Sequence, residues 1–350
     1  MSFTVHIEPS GHTFDVESNE SVLDAALRHG YAFPYGCRGG GCGACKGKLL
    51  NGTVDYGTNQ PPALSEEDVS RGLALFCQAR PTSDISVEIK EIGESDNLEI
   101  KTLPTKVHKK EFLSHDVVRL YLKLPEVERM QFRAGQYIDI LLPDGRKRSF
   151  SIANAPHDDA LIELHIRHVD GGDFTGYVMD ELHEKDILRI EGPHGSFFLR
   201  EEANRPLIFM AGGTGFAPIK GIIEHALAEG LHQPMYLYWG VRANKDLYLA
   251  DLPRKWAKYL RHFNFIPVFS EQISKPESDS STELSATETR FGYVHSAVIG
   301  DFPEGLEKFD VYASGPPVMV HAGFDAFKEH GLLEDRYFSD AFEFQAPKAK

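Results

Sequence analysis

Four cysteines carry the clearest chemical signal in this sequence. Cys37, Cys42 and Cys45 are spaced C-x4-C-x2-C, and Cys77 follows at a distance. Thiolates at this spacing hold a [2Fe–2S] cluster, in which each iron takes two thiolates beside two bridging sulfides. Glycines within the loop leave room for backbone N–H groups to approach the sulfurs and stabilise the negative cluster. The pattern predicts one-electron transfer by the first quarter of the chain.

A structural zinc site and a pair of disulfides are the alternatives for these cysteines. Structural zinc prefers two short C-x2-C pairs, and here only Cys42 and Cys45 form one. Disulfides are disfavoured in the cytoplasm, where we expect this chain to function. The iron–sulfur cluster is therefore the preferred interpretation.

Short motifs in the middle of the chain form a second candidate site. Each motif alone is a weak signal, since Arg148 could be a solvated charge and Phe150 a core residue. The motifs occur in the order Arg148-Ser149-Phe150-Ser151, His165-Ile166-Arg167, Gly172-Asp173-Phe174-Thr175 and Gly195-Ser196-Phe197-Phe198.

A glycine-rich turn in the last third forms a third candidate site. The apolar run 207–210 predicts a strand, and residues 219–229 predict a helix with Pro218 in its first turn. A strand, a glycine-rich turn and a helix start together bind the pyrophosphate of a dinucleotide. The alternative is a tight connection that needs glycine for steric reasons alone. The turn consists of Gly212, Gly213, Thr214 and Gly215.

Hydrophobic periodicity indicates the elements that position these residues. Near the cysteines, segments 3–7 and 13–16 alternate as a hairpin, Ser21 with Asp24 predicts a helix start, and 85–89 predicts a strand. Further on, short strands suggest a barrel, and strands that alternate with helices suggest a parallel sheet. The barrel strands are predicted over 117–124, 136–142, 149–153 and 161–169, a helix over 177–182, and the later strands over 235–239, 265–269 and 311–313.

The same patterns divide the chain into domains. A charged stretch before Pro104 predicts a linker, and Ser/Thr/Glu-rich residues 271–290 predict an exposed loop. We expect a first domain over 1–94, a linker over 95–103, a barrel domain over 104–204 and a dinucleotide domain over 205–350.

Composition and charge exclude several classes of partner. The chain has 350 residues, with 37 Lys and Arg against 52 Asp and Glu, for a net charge of −15. An acidic chain is a poor ligand for nucleic acid or an anionic membrane. No apolar run is long enough to span a membrane, and the first residues do not form a signal peptide. We therefore expect a cytoplasmic protein that binds neither nucleic acid nor membrane.

Two known families resemble parts of this chain. Residues 1–94 resemble plant-type ferredoxin domains, which implies a β-grasp fold. The ordered motifs and the turn resemble the ferredoxin–NADP reductase superfamily, whose sequences read R-x-Y-S and G-G-T-G-x-x-P at these places. This resemblance implies an antiparallel β-barrel that binds FAD and a doubly wound parallel sheet that binds a nicotinamide dinucleotide. The expected fold is multidomain, combining α+β and α/β parts.

The superfamily resemblance implies roles for the flavin motifs. Arg148 would pair with the flavin phosphate, Phe150 would replace the family's tyrosine against the ring, and Ser151 would bond near flavin N5. The backbone of the second motif would meet the ring edge, and the third motif would cradle the pyrophosphate. The implied flavin-binding residues are Arg148, Ser149, Phe150, Ser151, His165, Ile166, Arg167, Gly172, Asp173, Phe174 and Thr175.

The same resemblance implies roles near the nicotinamide. Ser314, where many relatives carry cysteine, would lie beside the hydride path, and Phe342 would either cover the flavin or pack against the barrel. Arg242 would suit a 2′-phosphate, whereas Glu271 would repel one, so NADH is favoured over NADPH. The implied dinucleotide-binding residues are Gly212, Gly213, Thr214, Gly215, Pro218, Arg242, Gly315, Pro316 and Met319.

Together these sites imply the reductase component of an electron-transfer system. Flavin chemistry joins the two-electron donor NAD(P)H to a one-electron cluster, which then reduces an oxygenase or dehydratase component. Segments 151–156 and 338–342 most resemble reductases that serve the dehydratase of 3,6-dideoxysugar synthesis. One alternative is a flavin reductase that releases reduced flavin, for which the cysteines would be superfluous. The other is a non-enzymatic redox sensor or electron-transfer scaffold, for which the glycine-rich turn would be superfluous.

Overall fold

The computed structural model describes residues 2–58, 60–92, 98–271 and 289–342. Residues 1–99 with 194–197 form one compact unit, and residues 100–193 with those from 198 onward form a second. The predicted boundary between 204 and 205 therefore lies inside the second unit. Most of the predicted loop 271–290 and part of the predicted linker lie outside the described residues.

The first unit is a mixed sheet covered by a helix. Strands β1 and β7 are parallel, whereas β1–β2, β3–β5 and β3–β7 are antiparallel, in the order β2-β1-β7-β3-β5. Apolar residues of the first helix pack with the sheet in one buried core, which is the β-grasp arrangement. The elements are β1 Ser2–Glu8, β2 Thr13–Glu17, α1 Val22–Arg28, β3 Lys46–Asn51, β4 Val54–Asp55, α2 Glu66–Ser70, β5 Leu73–Leu75, β6 Arg80–Pro81 and β7 Ile85–Glu88.

The hairpin, helix and closing strand predicted for this unit are confirmed. Helix α1 begins after Ser21, whose hydroxyl accepts a 3.1 Å hydrogen bond from the Asp24 backbone N–H. This side-chain cap satisfies one of the donors that a helix start leaves open. The helix ends before Gly30, which has a positive φ of 84°.

The second unit begins with a barrel. Its sheet has the order β11-β10-β13-β8-β9-β12, and a bridge between Ile152 and Leu164 joins the two outer strands. Strand β8 begins at Lys101, so the predicted linker is wrong at its carboxyl end, where residues 101–103 pair with β13. The elements are β8 Lys101–Phe112, β9 Val117–Lys123, β10 Tyr137–Leu141, β11 Lys147–Ser151, β12 Ile162–Arg167, α3 Asp173–Asp180 and β13 Ile187–His194.

A six-stranded parallel sheet completes the second unit. Its order β17-β16-β15-β14-β18-β19 starts near the middle and grows in both directions, which is the doubly wound plan. Strand β19 has no counterpart among the strands predicted from periodicity. The elements are β14 Leu207–Gly212, α4 Phe216–Ala228, β15 Met235–Val241, α5 Asp251–Tyr259, β16 Phe263–Phe269, β17 Arg290–Phe291, α6 Val294–Asp301, β18 Asp310–Gly315, α7 Pro317–Glu329 and β19 Tyr337–Ala341, with short 3-10 turns at Glu201–Ala203, Gly213–Gly215, Asn244–Asp246 and Glu334–Arg336.

Among the described residues, no helix is both long and apolar enough to cross a membrane. Helices α4 and α7 have 13 residues each. A helical span needs about 20 residues.

The glycine-rich turn is packed too tightly to accept a side chain at Gly215. A Cβ there would lie 2.0 Å from the Ser314 carbonyl oxygen and 2.8 Å from the Gly315 nitrogen. These are backbone atoms of β18, so they cannot move aside as a flexible side chain would. The ends of β14 and β18 can therefore meet only with glycine at this position.

We predict that Gly215→Ala destabilises the second unit by about 3 kcal/mol, because the overlap forces two strand ends apart. The expected loss in thermal midpoint is roughly 6 °C or more, measured by circular dichroism. Gly300→Ala on α6 is the matched control, since a Cβ there meets nothing within 4 Å. Equal midpoints for the two variants would contradict the packing argument.

Candidate functional site

The three amino-terminal cysteines lie on one loop between α1 and β3, and Cys77 lies two residues after the end of β5. Backbone N–H groups point at the sulfurs: that of Gly39 lies 3.3 Å from Cys37 Sγ, and that of Cys77 lies 3.4 Å from Cys45 Sγ. Such donors stabilise thiolates. None of the four cysteines, all within the described residues, forms a disulfide.

The cysteine side chains are grouped in two pairs. The thiols of Cys37 and Cys42 are close enough to share a hydrogen bond, and so are those of Cys45 and Cys77. The pKa of Cys37 is lowered to about 5, first by the Cys42 side chain and then, against burial, by backbone N–H groups. The pKa of Cys42 is raised by its bond to Cys37 and by burial. Two pairs of thiols with backbone donors fit a cluster whose two irons each take two thiolates.

The first flavin motif lies on the barrel strand β11. Ser149 donates a 2.6 Å hydrogen bond to Asp139, and an Arg148 guanidinium N–H donates to the Lys147 carbonyl. The half-buried Phe150 ring lies 5.7 Å from the Phe174 ring, measured between centroids. The fold thus brings the first and third motifs together. Phe150 also packs against the barrel core, and its role toward a flavin stays a prediction.

The third motif forms the start of helix α3. The helix begins at Asp173, so the predicted start at 177 is wrong by four residues. The reason is local: Gly172 is the N-cap, and the Thr175 hydroxyl accepts a 3.1 Å bond from the Val169 N–H, which closes the first turn. The helix amino terminus therefore lies within the motif, where its N–H groups suit an anion.

The second motif lies on β12. Its backbone is the part predicted to meet the flavin, and its side chains make contacts within the protein. Ile166 is buried in the barrel core. The Arg167 guanidinium lies against the glycine-rich turn, since a Cβ at Gly213 would be 2.5 Å from Arg167 Nη1. Its Nε forms a 3.2 Å ion pair with Asp116. The His165 side chain is buried, with ring nitrogens 2.8 Å from a Glu163 oxygen and 3.0 Å from the Tyr248 hydroxyl.

The predicted dinucleotide residues meet where β14 and β18 end. A Cβ at Gly212 would lie 2.6 Å from Met319 Sδ and 2.8 Å from Pro316 Cδ. Thr214 lies in the turn, and Pro218 is buried in the first turn of α4. Ser314 is fully buried, and its hydroxyl has no hydrogen-bond partner among the described residues. Only glycine fits at position 212, and the buried Ser314 hydroxyl, an unsatisfied donor at the neighbouring strand end, fits a polar group of a bound dinucleotide.

Residues at the carboxyl end of β19 lie beside the carboxyl end of β18. The Ser151 hydroxyl donates a 3.1 Å hydrogen bond to the Asp340 carboxylate on β19. The Phe342 backbone N–H donates a 2.8 Å bond to the Gly315 carbonyl. Ser151, Phe342 and Gly315 are therefore brought close together, although they are far apart in sequence.

Arg242 follows β15 and is mostly exposed. Its Nε lies 3.7 Å from a carboxylate oxygen of the buried Asp246. The Glu271 backbone N–H donates a 3.1 Å hydrogen bond to the Arg242 carbonyl. Arg242 and Glu271 are thus neighbours at the carboxyl ends of β15 and β16.

The sequence patterns missed Asp340, Glu163 and Lys220. Asp340 lies in segment 338–342, which resembles known reductases, but no role was predicted for it, because its partner Ser151 is contributed by another domain. Lys220 did have one, since it interrupts the apolar run of α4 between Ile219 and Ile222. Glu163 likewise interrupts the apolar strand β12, and both charges are buried.

Comparison with known families adds three matches along the chain. Residues 5–82 match the 2Fe-2S iron-sulfur cluster binding domain, residues 104–199 the oxidoreductase FAD-binding domain, and residues 209–323 the oxidoreductase NAD-binding domain. The chain is also 40% identical to the CDP-6-deoxy-L-threo-D-glycero-4-hexulose-3-dehydrase reductase of Yersinia pestis, over 98% of this chain and 99% of that protein.

The chain belongs to the ferredoxin–NAD(P)H reductase superfamily. Within it, the terephthalate 1,2-dioxygenase reductase component 1 of Comamonas sp. is 35% identical over 98% of both chains. The crystal structure of the Amycolatopsis cytochrome P450 reductase GcoB superposes with a TM-score of 0.77 at 34% identity, over 97% of this chain and 98% of that one. These matches extend along nearly the whole of each chain.

As a member of this superfamily, the protein is an NAD(P)H-dependent oxidoreductase. It passes electrons from NAD(P)H through FAD to a [2Fe–2S] cluster and on to a partner protein. The predicted cofactors, the β-grasp, barrel and parallel-sheet folds and the reductase function are confirmed. The zinc, flavin-release and non-enzymatic alternatives are therefore not needed.

We predict that Cys42→Ser abolishes the visible absorbance and bound iron of the cluster, because a serine hydroxyl is a much poorer ligand for iron than a thiolate. FAD content and bleaching of the flavin by NADH should stay within about twofold of wild type, since the flavin barrel has its own core. Ala44→Ser in the same loop is the control and should retain the cluster. Loss of flavin reduction together with the cluster would contradict independent sites.

Proposed function

We propose that this reductase uses NADH and delivers electrons to a CDP-6-deoxyhexulose dehydrase. Its support is the 40% identity along the whole chain to a reductase named for such a dehydrase. Reductases named for aromatic oxygenases are less similar, at 35% over the same span. The oxygenase class is the alternative that an experiment must exclude.

For the cofactors, the proposal assigns this chain's residues to binding and orientation. When bound, FAD would supply the chemistry that links two-electron hydride acceptance to single-electron transfer. Arg148 and the start of α3 hold the FAD phosphates, and residues 212–215 hold the dinucleotide pyrophosphate. Cys37 with Cys42 and Cys45 with Cys77 supply the thiolates.

Three groups of this chain would lie around the reacting atoms. Ser151 would lie near flavin N5, with its hydroxyl oriented by the 3.1 Å hydrogen bond that it donates to Asp340. The buried Ser314 hydroxyl, which has no partner among the described residues, faces the nicotinamide. Phe342, whose backbone N–H bonds to the Gly315 carbonyl, would supply an aromatic ring to cover the bound flavin. No general acid or base is required for hydride transfer.

The preference for NADH is supported by charge at the ends of β15 and β16. Arg242 is the cation that could bind a 2′-phosphate, but Asp246 lies 3.7 Å from it and Glu271 is its backbone neighbour. The Asp246 carboxylate offsets the charge of the guanidinium, and Glu271 adds a second negative charge at the same strand ends, which disfavours a phosphate there. A ribose hydroxyl, by contrast, is a good partner for a carboxylate.

The proposed function is tested by parallel anaerobic titrations with NADH and NADPH, followed by absorbance and low-temperature EPR. We expect NADH to bleach the flavin and then to produce the signal of a reduced cluster. Adding the purified dehydrase with its CDP-sugar substrate should reoxidise the protein, whereas an aromatic oxygenase component should not. Faster reoxidation by the oxygenase would contradict the proposed acceptor, and reduction by NADPH alone would contradict the proposed nucleotide.

We predict that Glu271→Lys raises kcat/KM for NADPH by about tenfold, the effect of about 1.4 kcal/mol of charge interaction, and changes kcat/KM for NADH by less than about threefold. The measurement is steady-state reduction of an artificial acceptor with each nucleotide. Glu329→Lys is the matched control, because the end of α7 lies at the opposite edge of the parallel sheet. An equal change in both variants would indicate a general charge effect.

A further inference from the structure

A buried cluster of charges joins the barrel to the parallel-sheet domain inside the second unit. Lys220 lies on α4, and its side chain is 6% exposed. Its Nζ donates to the Ala153 carbonyl at 3.0 Å, to Glu163 at 3.1 Å and to Glu224 at 2.9 Å. An ammonium has three N–H donors, so this lysine is fully satisfied by acceptors from both domains.

Glu163 is the barrel's side of this cluster. It lies on β12, and its second carboxylate oxygen is 2.8 Å from His165 Nε2. Burial raises the pKa of Glu163, but His165 and Lys220 outweigh burial and lower the pKa to about 2. The carboxylate is thus charged whenever the protein is folded near neutral pH. His165 extends the link, since its other ring nitrogen lies 3.0 Å from the Tyr248 hydroxyl in the parallel-sheet domain.

The cluster connects the two elements that carry the reacting groups. Ala153 is two residues beyond Ser151, and Lys220 is five residues beyond Gly215 on the helix that follows the turn. The helix backbone also lies against this strand segment, because a Cβ at Gly221 would be 3.0 Å from the Asn154 carbonyl oxygen. The Asn154 side chain accepts a 2.8 Å bond from the Glu163 N–H, so the strand segment and Glu163 are held together.

Hydride transfer depends steeply on the distance between the Ser151 strand segment and the glycine-rich turn. The reacting atoms must approach to about 3–3.5 Å, and an error of about 1 Å can cost about 100-fold in rate. One reacting group is bound by the barrel and the other by the parallel-sheet domain. Two of the three Lys220 acceptors, the Ala153 carbonyl and Glu163, belong to the barrel, so a slide of α4 along this strand segment would stretch both hydrogen bonds.

We propose that Lys220 and Glu163 are positioning residues that set the distance between the glycine-rich turn and the Ser151 strand, and so the distance of hydride transfer. This inference rests on the proposed function, in which those two elements hold the nicotinamide and the flavin edge. Neither residue touches the reacting atoms. The two residues act through the backbone elements to which they are bonded.

The test is anaerobic stopped-flow reduction of the holoprotein by NADH, without any acceptor protein. For Lys220→Met, we expect the rate constant at saturating NADH to fall about 30- to 100-fold, with the NADH dissociation constant changed less than about threefold. The long-wavelength absorbance of the NADH–flavin complex should weaken in parallel. Lys255→Met on α5, an exposed lysine, is the matched control and should behave as wild type.

A second comparison tests whether Lys220 and Glu163 act through the contact that they share. Glu163→Gln should slow reduction, and the double variant Glu163→Gln with Lys220→Met should be no slower than Lys220→Met alone, because both remove one connection. If Lys220→Met lowers the thermal midpoint but leaves the rate constant and the long-wavelength absorbance at wild-type values, the cluster only stabilises the fold and the proposal is wrong.

A variant that leaves no unpaired buried charge covers the case in which Lys220→Met folds poorly. Replacing both residues with methionine removes the two charges together, which buried pairs often tolerate. This variant should retain FAD and still transfer hydride slowly, and a wild-type rate would overturn the proposal. If wild type proves to use NADPH, the proposed nucleotide fails, but the same variants measured with NADPH still decide the role of Lys220.

Discussion

The close meeting of β14 and β18 is the constraint on which the second unit depends. A side chain at Gly215 would overlap the Ser314 carbonyl at 2.0 Å, so the two strand ends touch through backbone alone. That contact lies at the turn before α4 and beside the buried Ser314 hydroxyl. It also sets where α4 begins, and therefore where Lys220 meets the barrel. The dinucleotide site and the domain junction are consequences of one steric fact.

Electrostatics organises the first unit in a comparable way. The cysteine loop surrounds its sulfurs with backbone N–H groups, and the four side chains form two pairs before any iron is considered. Thiolates are costly to bury without such donors. The loop therefore stabilises charge with backbone dipoles, whereas the junction in the second unit stabilises charge with a lysine and a carboxylate. Each device suits its task, since a cluster gains and loses an electron while the junction must stay unchanged.

Several members of the predicted flavin motif have two roles in the structure. Phe150 contacts Phe174 and also packs against the barrel core. Packing in the core and contact with a cofactor are therefore compatible roles for this residue. His165 was expected to act through its backbone, but its side chain reaches toward the parallel-sheet domain. Arg167 likewise lies against Gly213. Residues on β12 thus connect the flavin barrel to the dinucleotide turn, which explains why the two predicted domains form one compact unit.

Local chemistry was predictable from the sequence, and long-range pairing was not. Cysteine spacing, the glycine-rich turn and the alternating runs depend on neighbours within a few residues, and each led to the correct domain fold. The start of α3 was misplaced because the helix begins directly after Gly172, where the Val169 N–H bonds to the Thr175 hydroxyl, and periodicity does not report this contact. The bonds of Ser151 to Asp340 and of Lys220 to Glu163 join residues from different domains. A sequence records that such polar residues exist, but only the packed structure decides which of them are buried together, because burial is what obliges each to find its partner.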